Sequence, residues 1–332
     1  MEVSLTEPSS PSAIAGGRIE ISLRGRWQAV PAFWALGQTI IVTGGRVKIA
    51  RVHDEEWIEE EVLAPEEYIR AIKANREIAK ADIFTFVQKV PHITPCYTYP
   101  MELESTAVAR VGNFTEWWDA LPQISRKNVR RSNKRGVTIR QVQFTDDVIC
   151  GIAEVQNETS IRQGRRYPHY GKSFEQVKRD HSGFLDHCDF IAAYFDGKII
   201  GFLKVVYRGK VASILQINSM MAHFDKRPSN ALVTKAAELC SARGVEYLTY
   251  ARFNYGNKGE DSLREFKIRN GFEEMLVPRY YVPLTPWGQV SVKCKLYRSP
   301  LSILPRNVIR ALVAARVKWY DLLRRTRAGV AQ

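Results

Sequence analysis

Apolar and polar residues alternate along Arg18–Arg24 (RIEISLR), as in a strand with one buried face. Gln38–Val52 (QTIIVTGGRVKIARV) reads as two apolar strands around a glycine turn that supplies positive φ. Pro65–Ile78 has helical spacing, with its proline suited to the first turn. Asp82–Val90 and Thr106–Val111 read as strands again. A helix capped at Asn113 or Thr115 follows and is interrupted by Pro122. The next helical piece carries Arg126, Lys127, Arg130, Arg131, Lys134 and Arg135, and Gly136 stops it.

From Val137 the pattern sharpens. Val137–Phe144 alternates as a strand, Asp146–Arg162 is an amphipathic helix with an aspartate cap, and Ser173–Cys188 is a second helix. Phe190–Met221 divides into three antiparallel strands at its Asp-Gly-Lys and Arg-Gly-Lys turns. Ser229–Gly244 is a helix with a serine cap and a glycine stop, and Glu246–Phe253 is a strand. Glu260–Gly271 is a helix, and Phe272–Leu284 is a final strand region. The order is β-α-α-β-β-β-α-β-α-β. Pro305–Arg327 is separate in character: apolar residues recur at helical spacing and the polar face is almost wholly basic.

Composition narrows the classes. The 332 residues are 45% hydrophobic and 25% charged, enough for a sizeable core in two domains or one elaborate one. Five widely spaced cysteines, with no CxxC pair, argue against a disulfide framework or a zinc site and for reduced thiols in a cytoplasmic protein. Residues 1–17 lack a basic stretch and an apolar run, so a disordered leader is expected there rather than a secretory signal. No stretch approaches the roughly 18 apolar residues of a membrane span. The formal charge of +14 implies an anionic partner: nucleic acid, anionic lipid or a phosphorylated small molecule. The basic amphipathic 305–327 segment suits the inner face of an anionic membrane, or docking on its own domain. The cations of residues 126–135 surround their helix and come with no nucleic-acid-binding signature.

The order from Val137 to Leu284 resembles the GNAT acyltransferase fold. Asp196–Val205 (DGKIIGFLKV) is similar to its central hairpin, Ile214–Met221 and the following helix to its acyl-CoA segment, and Leu263–Phe272 (LREFKIRNGF) to its last helix and strand entry. The basic helix before Val137, and Phe266-Lys267 where other members carry Leu-Tyr, resemble the Fem-type branch of peptidyl- and acyltransferases. That resemblance implies an α+β fold: a mixed, mostly antiparallel twisted sheet flanked by helices, in two GNAT-like halves with the first degenerate. The expected divisions are a leader at 1–17, the degenerate half at 18–136, the acyltransferase domain at 137–298 and a basic helix at 299–332.

The implied reaction is acyl transfer from acyl-CoA, acetyl-CoA above all, to an amine on an anionic or lipid-linked acceptor such as a cell-surface glycan precursor. Direct transfer needs orientation, an oxyanion-stabilising backbone and a base, and no metal. One departure stands out. The loop AHFDKRPSNA (residues 222–231) has no glycine where coenzyme-A-binding members are glycine-rich. Lys226, Arg227, the Ser229 hydroxyl and the N–H groups of Asn230 and Ala231 remain available for a phosphate. The departure leaves the donor open among acyl-CoA, aminoacyl-tRNA and an acyl carrier; the rival classes are a tRNA-dependent aminoacyltransferase and a non-catalytic module that binds lipid or a partner.

Individual residues carry paired readings. Lys267 is a solvated charge or an anion-binding group near the apolar face of its helix. Gln156–Ser173 is a solvated loop or a binding segment, in which Arg162, Arg165, Tyr167 and Tyr170 suit an anionic acceptor and Glu158 or His169 suits a general base. Gln216, Asn218 and Ser219 are polar in a strand expected to be central, so they form a structural network or meet a substrate. Asn254 resembles the asparagine that contacts the coenzyme arm, or belongs to a turn. Arg279 and Tyr280 line the cleft or pack within a strand.

Overall fold

In chain order the elements begin with β1 (Gly17–Leu23), β2 (Arg26–Ala35), β3 (Gln38–Thr43), β4 (Ile49–Val52), α1 (Pro65–Ala74), β5 (Ile83–Val87) and β6 (Met101–Arg110). Then come α2 (Phe114–Ala120), α3 (Gln123–Lys134), β7 (Thr138–Val142), α4 (Asp146–Asn157), the short strands β8 (Ile161–Arg162) and β9 (Arg165–Arg166), and α5 (Phe174–His181). The chain continues through β10 (Cys188–Phe195), β11 (Lys198–Arg208), β12 (Val211–Ser219), α6 (Pro228–Ala242), β13 (Tyr247–Arg252), α7 (Ser262–Arg269), β14 (Glu273–Pro283) and α8 (Pro286–Lys293). This is a computed structural model that describes residues 17–23, 26–57, 60–75, 78, 80–162, 165–254 and 262–298. The leader and the basic 305–327 segment lie outside the described residues.

The order expected from Val137 to Leu284 is present. Local chemistry explains most boundaries. Asp196 and Gly197 both take positive φ (49° and 76°), the geometry a two-residue turn between β10 and β11 requires. Ser173 and Gln176 form a reciprocal capping box on α5. Two caps differ from expectation. Thr145, not an aspartate, caps α4, because its hydroxyl reaches Val148 N–H and leaves Asp146 and Asp147 in the first turn. Helix α6 starts at Pro228 after a left-handed Arg227, with no side-chain cap, so Ser229 lies inside the helix. Strand β2 has no counterpart in the apolar pattern, since Pro31 argues against a strand interior.

The chain forms two units. One takes the chain up to Gln88 together with Pro95–Glu102 and Pro278–Tyr297; the other holds Lys89–Thr94 and Leu103–Val277. The sequence-derived boundary at 136/137 falls inside the second unit. The reason is packing: β6 pairs with β13, and Trp117 and Leu121 enter the same core as Leu232, Ala236 and Leu248.

In the first unit β1 to β4 form an antiparallel meander, β5 adds parallel to β4 after α1, and the end of β14 pairs with β5. Tyr68 of α1 stacks on Phe84, Phe84 on Phe86 and Phe86 on Tyr280. In the second unit the strands run β6-β13-β12-β11-β10-β7, all antiparallel neighbours except β12 and β13. Helices cover both faces. Leu232, Val233, Ala236 and Ala237 of α6 pack with Leu203 and Val205 on one face, while Ile149, Ile152 and Val177 of α4 and α5 pack with Phe190 and Phe202 on the other.

Candidate functional site

Strands β12 and β13 pair in parallel only over Val211–Ser213 and Tyr247–Thr249. The Ser213 and Thr249 hydroxyls, 2.7 Å apart, close that short ladder. A bulge then re-aims β12, since Val205 faces Ile214 but Lys204 faces Gln216. Beyond it β12 presents polar side chains to both covering helix layers. Asn218 meets the α4 end of one layer, and Ser219 meets Ser229 of α6 across 2.9 Å.

Arg162, just past α4, organises the first of these groups. Its guanidinium donates to Asn218 Oδ1, to the backbone oxygens of Ser219 (3.1 Å) and Val155 (3.0 Å), and to Glu158 Oε2 (3.4 Å). It also stands 4.7 Å from the Tyr167 ring centroid. Asn218 Nδ2 in turn donates to the Tyr167 hydroxyl, which Gln216 also bonds. The β8–β9 ribbon holds Arg162 and Tyr167 on one wall, because Ile161 pairs with Arg166. Glu158 does more than neutralise Arg162. Its two oxygens accept the backbone N–H groups of Met221 (2.7 Å) and Ala222 (2.8 Å), at the start of the loop between β12 and α6.

Beside this group His169 lies 5.3 Å from Tyr167, ring to ring. Burial, then the Lys172 ammonium, holds its imidazole below the usual range. Deeper in, Gln156 Nε2 meets His181 Nε2 at 3.1 Å, and both residues are buried. Burial, then Lys204, lowers His181 to about 3. Burial lowers Lys204 itself to about 8, while its ammonium donates to the backbone oxygens of His181 and Gly183. Three buried polar atoms here have no partner in the protein: Arg162 Nε, His169 Nδ1 and Gln156 Oε1. Unpaired buried atoms are costly in a finished core, so three in one region mark a place for a ligand or water.

The structure thus brings together Glu158, Arg162, Tyr167, His169, Gln216, Asn218 and Ser219. Tyr170 sits exposed on the adjacent turn, and the Arg165 side chain lies outside the described part. Gln156, His181 and Lys204 were not singled out in the sequence. A lysine inside the apolar run Ile199–Val206 was the available signal for the last.

Other predicted residues stand elsewhere. Lys267 is fully buried rather than solvated: its ammonium donates to Arg252 O at 2.5 Å and lies 4.5 Å from the Tyr250 ring centroid. Asn230 is buried and its amide donates to Asn270 Oδ1 at 3.0 Å, and Ala231 packs in the core. Their N–H groups, with that of Ser229, open the uncapped α6 and are where a phosphate would be held. Asn254 donates to Glu274 Oε1 (2.7 Å) and accepts from Arg264 (3.1 Å). Arg279 and Tyr280 belong to the first unit. Arg279 pairs with buried Glu55 at 3.0 Å, and the Tyr280 hydroxyl bonds Gln88 and accepts from Cys96 N–H. Among the described residues no three or more His, Cys, Asp or Glu side chains gather as a metal site, and no helix is long and apolar enough to cross a membrane.

No family model and no curated protein sequence matches the chain. Its fold does match solved structures. The C-terminal DUF2156 domain of a protein assigned as a lysylphosphatidylglycerol synthetase of Agrobacterium fabrum is similar at TM-score 0.53 and 18% identity, over 79% of this chain and 86% of that one. FemX is similar at TM-score 0.53 and 13% identity, over 83% of this chain and 90% of that one. L-PGS from Bacillus licheniformis is similar at TM-score 0.53 and 13% identity, over 79% and 87%. The short parallel ladder that parts at Ser213, the helix layers on both faces and these likenesses agree: the chain has a Fem-like GNAT fold.

Proposed function

We propose that this chain transfers an aminoacyl group from an aminoacyl-tRNA ester to an amine or hydroxyl of an anionic acceptor. The carrying observation is Glu158. Its carboxylate already takes the Met221 and Ala222 amides, so these two N–H groups at the entry to the loop between β12 and α6 are not open to a donor phosphate. Arg227 adds a side chain at a left-handed position (φ 58°) of a loop without glycine, so backbone and phosphate cannot approach closely there. An aminoacyl ester needs no pyrophosphate cradle, and the formal charge of +14 suits a polyanionic donor. Proteins named FemX and lysylphosphatidylglycerol synthetase share the fold.

The chemistry follows from the same groups. The acceptor occupies the region of the three unpartnered atoms, with Arg162 Nε facing its negative charge. Glu158 is committed to two amides and Arg162, so His169, neutral near pH 7, is the better base. His169 takes the proton as the acceptor nitrogen or oxygen bonds to the ester carbonyl carbon. The tetrahedral intermediate collapses, the ester C–O bond breaks, and the tRNA oxygen leaves as the hydroxyl, taking the proton from the His169 imidazolium. Backbone N–H groups of β12 beyond its parting from β13 are placed to face the oxyanion.

A second reading, acyl transfer from coenzyme A, rests on the uncapped amides of α6. Titration calorimetry separates the two. Charged tRNA is expected to bind with a steep salt dependence, and coenzyme A not to bind at millimolar concentration. Micromolar coenzyme A binding, with acetyl transfer to an amino sugar in the absence of tRNA, would overturn the first reading.

A further inference from the structure

We propose that the turn at Met221–Lys226 is an insertion knuckle that docks this face of the protein on an anionic lipid surface. The turn is a 3-10 helix, in which residues three apart lie one above the other. Met221 and Phe224 therefore point the same way, and they are 46% and 47% exposed. A lone exposed apolar side chain is ordinary, but two aligned at the tip of a fixed turn form a wedge. The turn is held from behind. Glu158 accepts the Met221 and Ala222 amides, Arg227 N–H closes on Phe224 O at 3.2 Å, and half-buried His223 packs 5.5 Å from Phe195. The wedge cannot fold back onto the protein without breaking these contacts.

Cations surround it. Arg135 at the end of α3 pairs with Asp225, bringing exposed Arg131 and Lys134 of the last helical turn alongside. Lys226 lies 4.6 Å from the Phe195 ring centroid and 3.6 Å from Asp225, and Arg227 is exposed. Asp225 pairs with only two of these five cations, Arg135 and Lys226. Apolar tips within an excess of Lys and Arg fit the headgroup boundary of an anionic bilayer, where apolar groups reach the acyl region and cations meet phosphates. Free phosphate or RNA would use the cations and leave the tips unexplained. The inference does not depend on the donor proposed above.

The basic 305–327 segment is expected to favour the same vesicles, so the test must read the turn itself. The full-length F224C protein, with exposed Cys96, Cys150 and Cys294 replaced by serine, is labelled with an environment-sensitive fluorophore and mixed with vesicles. A blue shift is expected on phosphatidylglycerol vesicles and none on phosphatidylcholine. M221S/F224S in the unlabelled protein should weaken sedimentation with phosphatidylglycerol vesicles about tenfold. An unshifted label on protein that is vesicle-bound would overturn the proposal. So would unchanged partition of M221S/F224S, or a label that shifts on RNA and not on phosphatidylglycerol.

Discussion

Lys267 donates its ammonium to the backbone oxygen of Arg252, 2.5 Å away, from a fully buried position. The bond ties α7 to the end of β13, where that strand has already parted from β12. Removing the lysine takes this donor from the Arg252 carbonyl and opens a void where the buried side chain packed. Lys267→Ala is expected to cost about 2–4 kcal/mol, and Lys267→Met, which refills the space, noticeably less. Urea unfolding of both variants checks this. An Ala variant as stable as the parent would show that the bond contributes nothing.

His181 makes stability depend on pH. Its folded value, near 3, lies below the ordinary 6.5, so the unfolded chain takes up a proton first as pH falls. Stability is therefore full above about 6.5 and is lost progressively from there toward 3, at up to about 1.4 kcal/mol per pH unit. Between pH 7 and 5 the loss from this group is about 2 kcal/mol. The difference in unfolding free energy between pH 7 and 5 should shrink in His181→Leu. An identical pH dependence in the two proteins would refute it.

Glu158→Gln keeps one acceptor oxygen but turns a donor toward the other amide. The Met221 and Ala222 amides should exchange with deuterium at least tenfold faster, and global stability should fall by about 1–2 kcal/mol. Unchanged exchange at both amides would mean that the carboxylate does not hold the loop.

Gly201 lies opposite Ser219 on β11. A Cβ there would come within 2.6 Å of Ser219 Oγ and 3.1 Å of the Asn218 backbone oxygen. Gly201→Ala should cost about 1–3 kcal/mol, and Ser219→Ala in the same chain should relieve part of it. Simple additivity of the two changes, read from thermal melts, would exclude the clash.

Strand and helix order was readable from Val137 onward because each element carries its own periodicity and punctuation. Asp196-Gly197 announces a hairpin and Gly271 a helix stop with no help from distant residues. Strand β2 was not readable, since Pro31 is tolerated only through pairing that its neighbours supply. The polar segment after α4 could be recognised as dense, but not sorted. The same Arg162 could have been solvated, and only the approach of β12 made it a hub.

The sequence by itself determined the element order from Val137 onward, the hairpin turns there, the excess of positive charge and the absence of glycine from the loop before α6. These are properties of neighbouring residues. Tertiary structure alone decided that α2 and α3 join the second unit, that Lys267 is buried, and that Glu158 closes the loop amides. Met221 N–H lies 63 residues from its acceptor in the chain, and no local pattern encodes a bond across that separation. It forms because packing of α4 on the sheet carries the carboxylate to the end of β12, within reach of two loop amides.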